Sequence, residues 1–175
     1  MSLDFTASVR RAQAGDAGAF AELYSLVYKD LYRIALLNLN NQHDAADVVS
    51  DTVLEAYTAV KNLREPKAFK AWIIKILTIK IKNKRKEYIQ DNNFRQDIDD
   101  LTDSGREELK KEISYEGLEV MDGFARLEED ERMVLALSVV SGYSSEETAR
   151  MLGTNANTVR SKAARAKAKL KKLIT

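Results

Sequence analysis

The sequence predicts an all-α protein built from two small helical domains that are joined by a flexible linker. The 175 residues include only seven glycines and one proline, so few residues interrupt helices. Hydrophobic residues recur at spacings of three and four, which is the period of an amphipathic helix. A share of 45% hydrophobic residues is enough to build a core. We expect the domains at 1–90 and 114–175, and the linker at 91–113.

Two long helices are expected in the first domain. The first runs from about residue 17 to 39, and its apolar face carries Phe20, Leu23, Val27, Leu31 and Ile34. Asn40 and Asn41 interrupt the pattern. The second helix runs from about 44 to 62 and has an acidic stripe beside its apolar face, made of Asp44, Asp47, Asp51 and Glu55.

The last helix of the first domain begins near Pro66, because proline is tolerated in the first turn of a helix. It is apolar at first and becomes basic from Lys80, then fades near Gln90. The region that follows, 91–113, has many charges and few large apolar residues, which predicts a linker.

In the second domain, a helical hairpin is expected from about Leu118. Ser144 followed by Glu147 is a capping box that predicts the start of a short helix, which ends at Leu152. Gly153 suits a left-handed helix terminus, and Asn155 can cap a final helix.

The segment 144–170 is typical of a helix-turn-helix, with Val159 holding the second helix against the first. In such a unit, the start of the second helix enters the major groove. The alternative is a helical hairpin with a basic tail. We favour DNA binding, and the candidate contacts are Asn157, Thr158, Arg160, Ser161, Lys162, Arg165 and Lys167.

Charge is strongly segregated, although the net charge is only +1. Residues 67–90 carry eight basic residues and one acidic residue, and 133–175 carry eight and two. Two basic segments suggest two contacts with a polyanion, although solvated helix faces would give the same pattern. Aromatic residues beside the first segment suit unpaired DNA, whose bases stack on rings. Core packing is the alternative for Phe69 and Trp72, and for Trp72 it is at least as well supported, because Trp72 lies on the apolar stripe.

Several classes of site are excluded or disfavoured. The chain has no cysteine and one histidine, so we expect no thiolate zinc site, no metal and no cofactor. It contains no long apolar run and no secretory leader, so we expect a cytoplasmic protein without membrane insertion. Asp47 and Asp51 could in principle hold a metal in a nuclease, but no other polar groups converge with them. The acidic stripe is either a solvated face or a dock for a basic partner.

Three segments together resemble the sigma-70 family of transcription initiation factors, in its extracytoplasmic-function group. Residues 43–57 read HDAADVVSDTVLEAY and resemble the family's polymerase-binding region. Residues 69–77 read FKAWIIKIL and resemble the region that opens and captures the −10 element. Residues 142–149, 152–153, 158–162 and 165–167 resemble the −35-binding region.

This resemblance implies binding sites for core RNA polymerase and promoter DNA, strand opening without an enzymatic step, and an anti-sigma factor as a further partner. The implied polymerase-binding residues are Asp44, Asp47, Val48, Asp51 and Glu55. The loop 62–67 would form part of a pocket for a flipped-out −10 base. The implied −10 contacts are Asn62, Arg64, Phe69, Trp72, Lys80, Asn83, Lys84 and Arg85.

The sequence departs from the family pattern at three positions. Ile79 stands where an asparagine is usual, and this difference affects how the −10 element would be read. Glu128 replaces a proline that is usual in the family, and Thr148 replaces a common isoleucine. Two alternatives to a sigma factor remain: a helix-turn-helix regulator that acts without polymerase, and a protein-interaction module with incidental charge.

Overall fold

The computed structural model describes residues 4–91 and 115–174, with side chains from residue 120 in the second range. Every regular element in these two ranges is helical, so the all-α fold of two helical domains is confirmed. Apart from Asp91, the linker predicted at 91–113 lies outside the described residues, and the domain boundaries stay a prediction.

The first domain contains four helices: α1 (Thr6–Gln13), α2 (Ala17–Leu39), α3 (Gln42–Ala59) and α4 (Phe69–Gln90). Two 3-10 turns, Val60–Asn62 and Pro66–Ala68, lie between α3 and α4. Asn40 ends α2 in the left-handed region at φ 51°, and Asn41 then caps α3 by accepting from the Asp44 amide at 2.9 Å. The two asparagines that interrupt the sequence pattern therefore form the turn between α2 and α3.

Helix α1 was missed by the sequence patterns. Phe5, Val9 and Ala12 are buried and pack this short helix against α2. The spacing of these three residues, four and then three, is the only sequence signal for it, and two turns are too short to stand out.

The second domain contains α5 (Tyr115–Ala125), α6 (Glu129–Leu135), α7 (Ser145–Leu152) and α8 (Ala156–Ile174), with a π-helical turn, Ala136–Val140, after α6. The capping box is confirmed, because Ser144 Oγ accepts from the Glu147 amide at 3.0 Å and Glu147 Oε1 from the Ser144 amide at 3.1 Å. Gly153 ends α7 at φ 69°, in the left-handed region that glycine favours.

The two domains pack against each other and share a continuous hydrophobic core. Helix α4 packs on α7, and α2 packs on α5 and α6. For this reason the end of α2 is buried on all sides, from Ile34 to Leu39, rather than on the single face that the sequence pattern predicts. The Lys70 ammonium lies 5.8 Å from the centre of the Tyr143 ring across this contact.

Arg132 is a buried cation in α6, and it forms no ion pair with the residues that the structure describes. It is 4% exposed, and among the described residues its Nε has no hydrogen-bond partner. Burial and, to a lesser degree, the charge of Arg85 lower the pKa of Arg132 to about 10, against the opposing effect of Glu129. A buried charge without a close ion-pair partner costs free energy, so we expect Arg132 to destabilise the folded chain.

We expect Arg132→Met to raise the free energy of unfolding by about 1–2 kcal/mol, because methionine fills a similar volume without a charge. Thermal unfolding followed by circular dichroism measures the change. Arg126→Met is the matched control, since Arg126 is exposed on the same domain and should leave stability unchanged. A lower melting temperature for Arg132→Met would show that the guanidinium stabilises the fold.

Candidate nucleic-acid interface

Helices α7 and α8 form a helix-turn-helix with its own small core. Val159 is 1% exposed and packs with Val134 and Ala149, which are also buried. The turn between the helices is set by Gly153 and by Asn155, whose Oδ1 accepts from the Thr158 amide at 2.9 Å. These contacts orient the first turn of α8 outwards from the domain.

The exposed start of α8 carries most of the predicted base-reading residues. Asn157, Arg160 and Ser161 are exposed, and Thr158 is partly buried. Arg160 donates to Asn157 Oδ1 at 2.6 Å and to Glu146 Oε1 at 3.4 Å. Both partners are themselves exposed, so water or DNA can compete for the guanidinium.

The remaining predicted residues of α8 follow the same helix. Arg165 and Lys167 are exposed. Lys162 is partly buried and lies 3.1 Å from Asp130 Oδ2 in α6. Together with Lys82 of α4, Lys162 and Thr158 line a shallow cleft between the two domains. The cleft brings a cation of the first domain next to the start of α8.

The two aromatic residues at the start of α4 lie in different environments. Phe69 is fully buried, with its ring centre 5.8 Å from that of Phe5 and 6.0 Å from that of Trp72. Its ring is therefore not accessible for base stacking in this arrangement. Trp72 is only partly buried, so part of its ring faces solvent.

Helices α3 and α4 present opposite charges to each other. Lys80 lies 3.5 Å from Glu55, and Lys84 lies 3.7 Å from Asp44. Burial alone would lower the pKa of Lys84, but its hydrogen bond to Glu87 and the charge of Asp44 raise it above its ordinary value.

Tyr88 adds a buried contact to Asp44, because its hydroxyl donates to Asp44 Oδ2. Burial and this hydrogen bond to the carboxylate raise the pKa of Tyr88, so the hydroxyl stays protonated. Asp44 is only 8% exposed as a result, and it is not available to an outside partner.

The four carboxylates of the acidic stripe therefore fall into two groups, those that contact α4 and those that are open to solvent. Asp44 and Glu55 are engaged by α4, and Val48 is buried at 3% exposure. Asp47 and Asp51 are exposed, and neither forms an ion pair with any residue of 4–91 or 120–174. These two carboxylates lie one turn apart on α3, so they face the same direction.

The loop 62–67 joins the end of α3 to α4 and presents exposed side chains. Asn62, Arg64 and Lys67 are exposed, while Leu63 is buried at 9% exposure. Gln13 of α1 holds this loop by donating from Nε2 to the Val60 and Leu63 carbonyls, at 3.0 and 2.8 Å. Sequence patterns missed Gln13, because it is about 50 residues away from its partners.

The last two predicted −10 residues lie further along α4. Asn83 is exposed. Arg85 is partly buried, and its guanidinium lies 5.9 Å from the centre of the Tyr88 ring. Within the described ranges, its Nε has no hydrogen-bond partner.

Within the described ranges, no three His, Asp or Glu side chains are grouped so as to hold a metal ion. None of the described helices is both long enough and apolar enough to cross a membrane.

These surfaces define a helix-turn-helix protein that carries a second, charged helical domain. Two family models match the chain in the same order: sigma-70 region 2 over residues 22–93 and sigma-70 region 4 over residues 118–170. The RNA polymerase sigma factor NccH of Alcaligenes xylosoxydans xylosoxydans is 31% identical over 174 residues, which cover 96% of this chain and 93% of NccH. The chain belongs to the sigma-70 family of RNA polymerase sigma factors, in the extracytoplasmic-function group.

Other relatives agree with this assignment. The extracytoplasmic-function sigma factor SigM of Mycobacterium tuberculosis (strain H37Rv) is 28% identical over 162 residues, which cover 92% of this chain and 80% of SigM. The solved structure of CnrH in complex with the cytosolic domain of CnrY matches with a TM-score of 0.72 and 26% identity, over 98% of this chain and 96% of CnrH. The chain is therefore a transcription initiation factor, as the resemblance implied.

Proposed function

We propose that the chain binds core RNA polymerase through α3 and directs it to promoters that carry −35 and −10 elements. The observation that carries the proposal is the presence, on one chain, of an exposed helix-turn-helix and an exposed carboxylate pair, Asp47 and Asp51, on different domains. The helix-turn-helix is suited to binding DNA, and the carboxylate pair is suited to binding a basic protein surface. Strand opening follows from binding energy, with no enzymatic step.

The start of α8 is suited to reading the −35 element. Arg160 can donate two hydrogen bonds to a guanine, and Asn157 can pair with an adenine. The hydrogen bond between them holds both side chains at the exposed end of the helix before DNA arrives. Arg165 and Lys167 lie further along α8, where they suit contacts to the phosphate backbone.

We expect Arg160→Ala to weaken binding to a −35 duplex about tenfold, because a bidentate contact to guanine contributes roughly 1–3 kcal/mol of discrimination. Preference for guanine at one position should be lost as well. Fluorescence anisotropy with labelled duplexes measures both effects. Arg150→Ala, an exposed arginine of α7, is the control. Equal affinity and equal base preference in Arg160→Ala would rule out this residue as a reader.

The loop 62–67 and Trp72 are the best candidates for the −10 element. Asn62 and Arg64 are exposed on the loop, and Trp72 has an accessible part of its ring. A base taken out of the stack loses a few kcal/mol of stacking and pairing, which new stacking and cationic contacts must offset. Phe69 supports the Trp72 ring from within the core, rather than touching DNA itself.

The charged surface along α4 continues this site. Asn83 is exposed and can contact DNA directly. Lys80 and Lys84 pair with carboxylates of α3, so they contribute to DNA binding only when DNA phosphates replace Glu55 and Asp44. Arg85 is partly buried beside Tyr88, so its contribution requires the guanidinium to turn outwards.

An anti-sigma factor is a further partner that we propose for this chain in the cytoplasm. The likeness to CnrH, which was solved in complex with the cytosolic domain of CnrY, supports it. The packed arrangement of the two domains also suits a partner that keeps them together. Affinity purification from uninduced host cells should recover a small protein besides polymerase, and recovery of polymerase alone would count against it.

Binding assays with purified core polymerase distinguish a sigma factor from a regulator that acts alone. A labelled promoter fragment is titrated with the chain, with core enzyme, and with both together. We expect a stable complex at the promoter only when both are present. Tight, sequence-specific binding by the chain alone, unchanged by core enzyme, would favour the regulator.

A further inference from the structure

Helix α1 and the preceding Phe5 contact the chain on both sides of the loop 62–67, although they lie far away in sequence. On one side, Gln13 donates from one amide nitrogen to the Val60 and Leu63 carbonyls. On the other side, the Phe5 ring packs on Phe69, the first residue of α4. The loop backbone is thus fixed between two contacts, one from helix α1 and one from Phe5.

The position of Gln13 follows from the geometry of α1. Gln13 comes four residues after Val9, which is 0% exposed, so both side chains lie on the inner face of the helix. Gly15 follows at φ 100°, which allows the chain to reverse into α2 directly after Gln13. The amide is therefore held against the end of α3, and it is partly buried there.

The chemistry of an amide suits this position. Val60 and Leu63 lie at the start and just past the end of the 3-10 turn that follows α3. The Val60 carbonyl accepts from the Leu63 amide at 3.1 Å, and its second lone pair remains available to Gln13. The Gln13 amide nitrogen carries two hydrogens and can donate to both carbonyls at once. A glutamate of the same shape would turn a carboxylate towards the two carbonyl oxygens, which it could only repel.

We propose that Gln13 is a positioning residue for −10 recognition: it holds the backbone of the loop 62–67 so that Asn62 and Arg64 face the captured base. This inference rests on the proposed role of the loop. Gln13 itself is directed to the loop backbone and acts without touching DNA.

The test compares open-complex formation by Gln13→Met, Gln13→Glu and Gln13→Lys. The promoters form a set in which each −10 position carries each of the four bases in turn. Methionine keeps the length without donors, glutamate replaces donors with acceptors, and lysine keeps donors. We expect the preference for the captured base to fall about tenfold in the first two variants, as two modest hydrogen bonds are lost, and to be largely retained with lysine. Preference at the −35 element and affinity for core polymerase should not change.

Gln90→Met is the matched control, because Gln90 is an exposed glutamine at the end of α4. The inference is overturned if the wild type discriminates −10 bases and Gln13→Met discriminates them equally well. It is also overturned if Gln13→Met loses −10 and −35 preference together, since that indicates general damage to the fold. If Gln13→Met does not fold, the comparison of Gln13→Lys with Gln13→Glu decides in the same way.

The wild-type protein separates this inference from the proposed function. If the wild type shows no base preference at any −10 position, the proposed role of the loop in −10 recognition is wrong, whatever the Gln13 variants show. If the wild type shows the preference, only the variants decide the role of Gln13.

Discussion

Reversal of both free carboxylates of α3, as Asp47→Lys with Asp51→Lys, should abolish binding to core RNA polymerase. These side chains are exposed, lie one helical turn apart and form no ion pair within the described ranges, so they are available to a basic partner. Placing like charges opposite each other at an interface costs several kcal/mol. We expect the affinity for core enzyme to fall at least about 100-fold, as measured by anisotropy of the labelled chain.

The same double variant should keep its helix-turn-helix function, because α8 lies in the other domain. Its affinity for an isolated −35 duplex should therefore match that of the wild type. The control variant, Glu22→Lys with Asp122→Lys, changes the net charge equally through two exposed carboxylates outside α3. If the Asp47 and Asp51 variant binds core enzyme as well as the wild type does, α3 is not the polymerase-binding surface.

The second large effect concerns the packing of the two domains. The −35 and −10 elements are roughly 25 base pairs apart, or roughly 85 Å at about 3.4 Å per base pair. A compact chain of this size has a radius of gyration of roughly 16 Å. The packed arrangement cannot reach both elements, so the contacts of α4 with α7 and of α2 with α5 and α6 must separate at the promoter.

A reducible cross-link between Lys70→Cys and Tyr143→Cys should therefore block promoter-directed initiation. These side chains are in contact across the domain boundary, and the chain has no cysteine of its own, so a short bis-maleimide with a disulfide in its spacer reacts only at the two introduced thiols. A thiol reductant then opens the cross-link by cleaving the spacer disulfide. We expect transcription to fall at least about tenfold and to recover when the cross-link is reduced.

Single-cysteine variants treated with the same reagent are the controls, because they carry the modification without the link. The isolated −35 duplex should still bind to the cross-linked protein, since Asn157 and Arg160 are exposed in the packed arrangement. Undiminished initiation by the fully cross-linked protein would mean that the domains do not separate.

The sequence was most informative where the structural signals are local. The capping box at Ser144 and Glu147, the left-handed Gly153 and the Asn155 cap each depend on residues within four positions, and all three are confirmed. The long helix α2 was predicted with the bounds that the structure has, because its apolar spacing is regular and Asn40 ends it.

Long-range contacts could not be predicted from such patterns. The second buried face of α2, with Leu36, Leu37 and Asn38, exists only because the other domain packs on it. The acidic stripe looked uniform in sequence, but contacts from α4 engage Asp44 and Glu55 and leave Asp47 and Asp51 available. Similarly, only the structure could choose between core packing and an accessible ring for Phe69 and Trp72.

The central claim, that this chain directs polymerase to paired promoter elements, is tested most directly by transcription in vitro. Purified core RNA polymerase and the chain are incubated with a pool of promoter fragments, and the 5′ ends of the transcripts are sequenced. We expect initiation at defined start sites whose upstream regions share one −35 and one −10 sequence. DNA binding without any initiation above that of core enzyme alone would contradict the claim and leave a regulator that acts without polymerase.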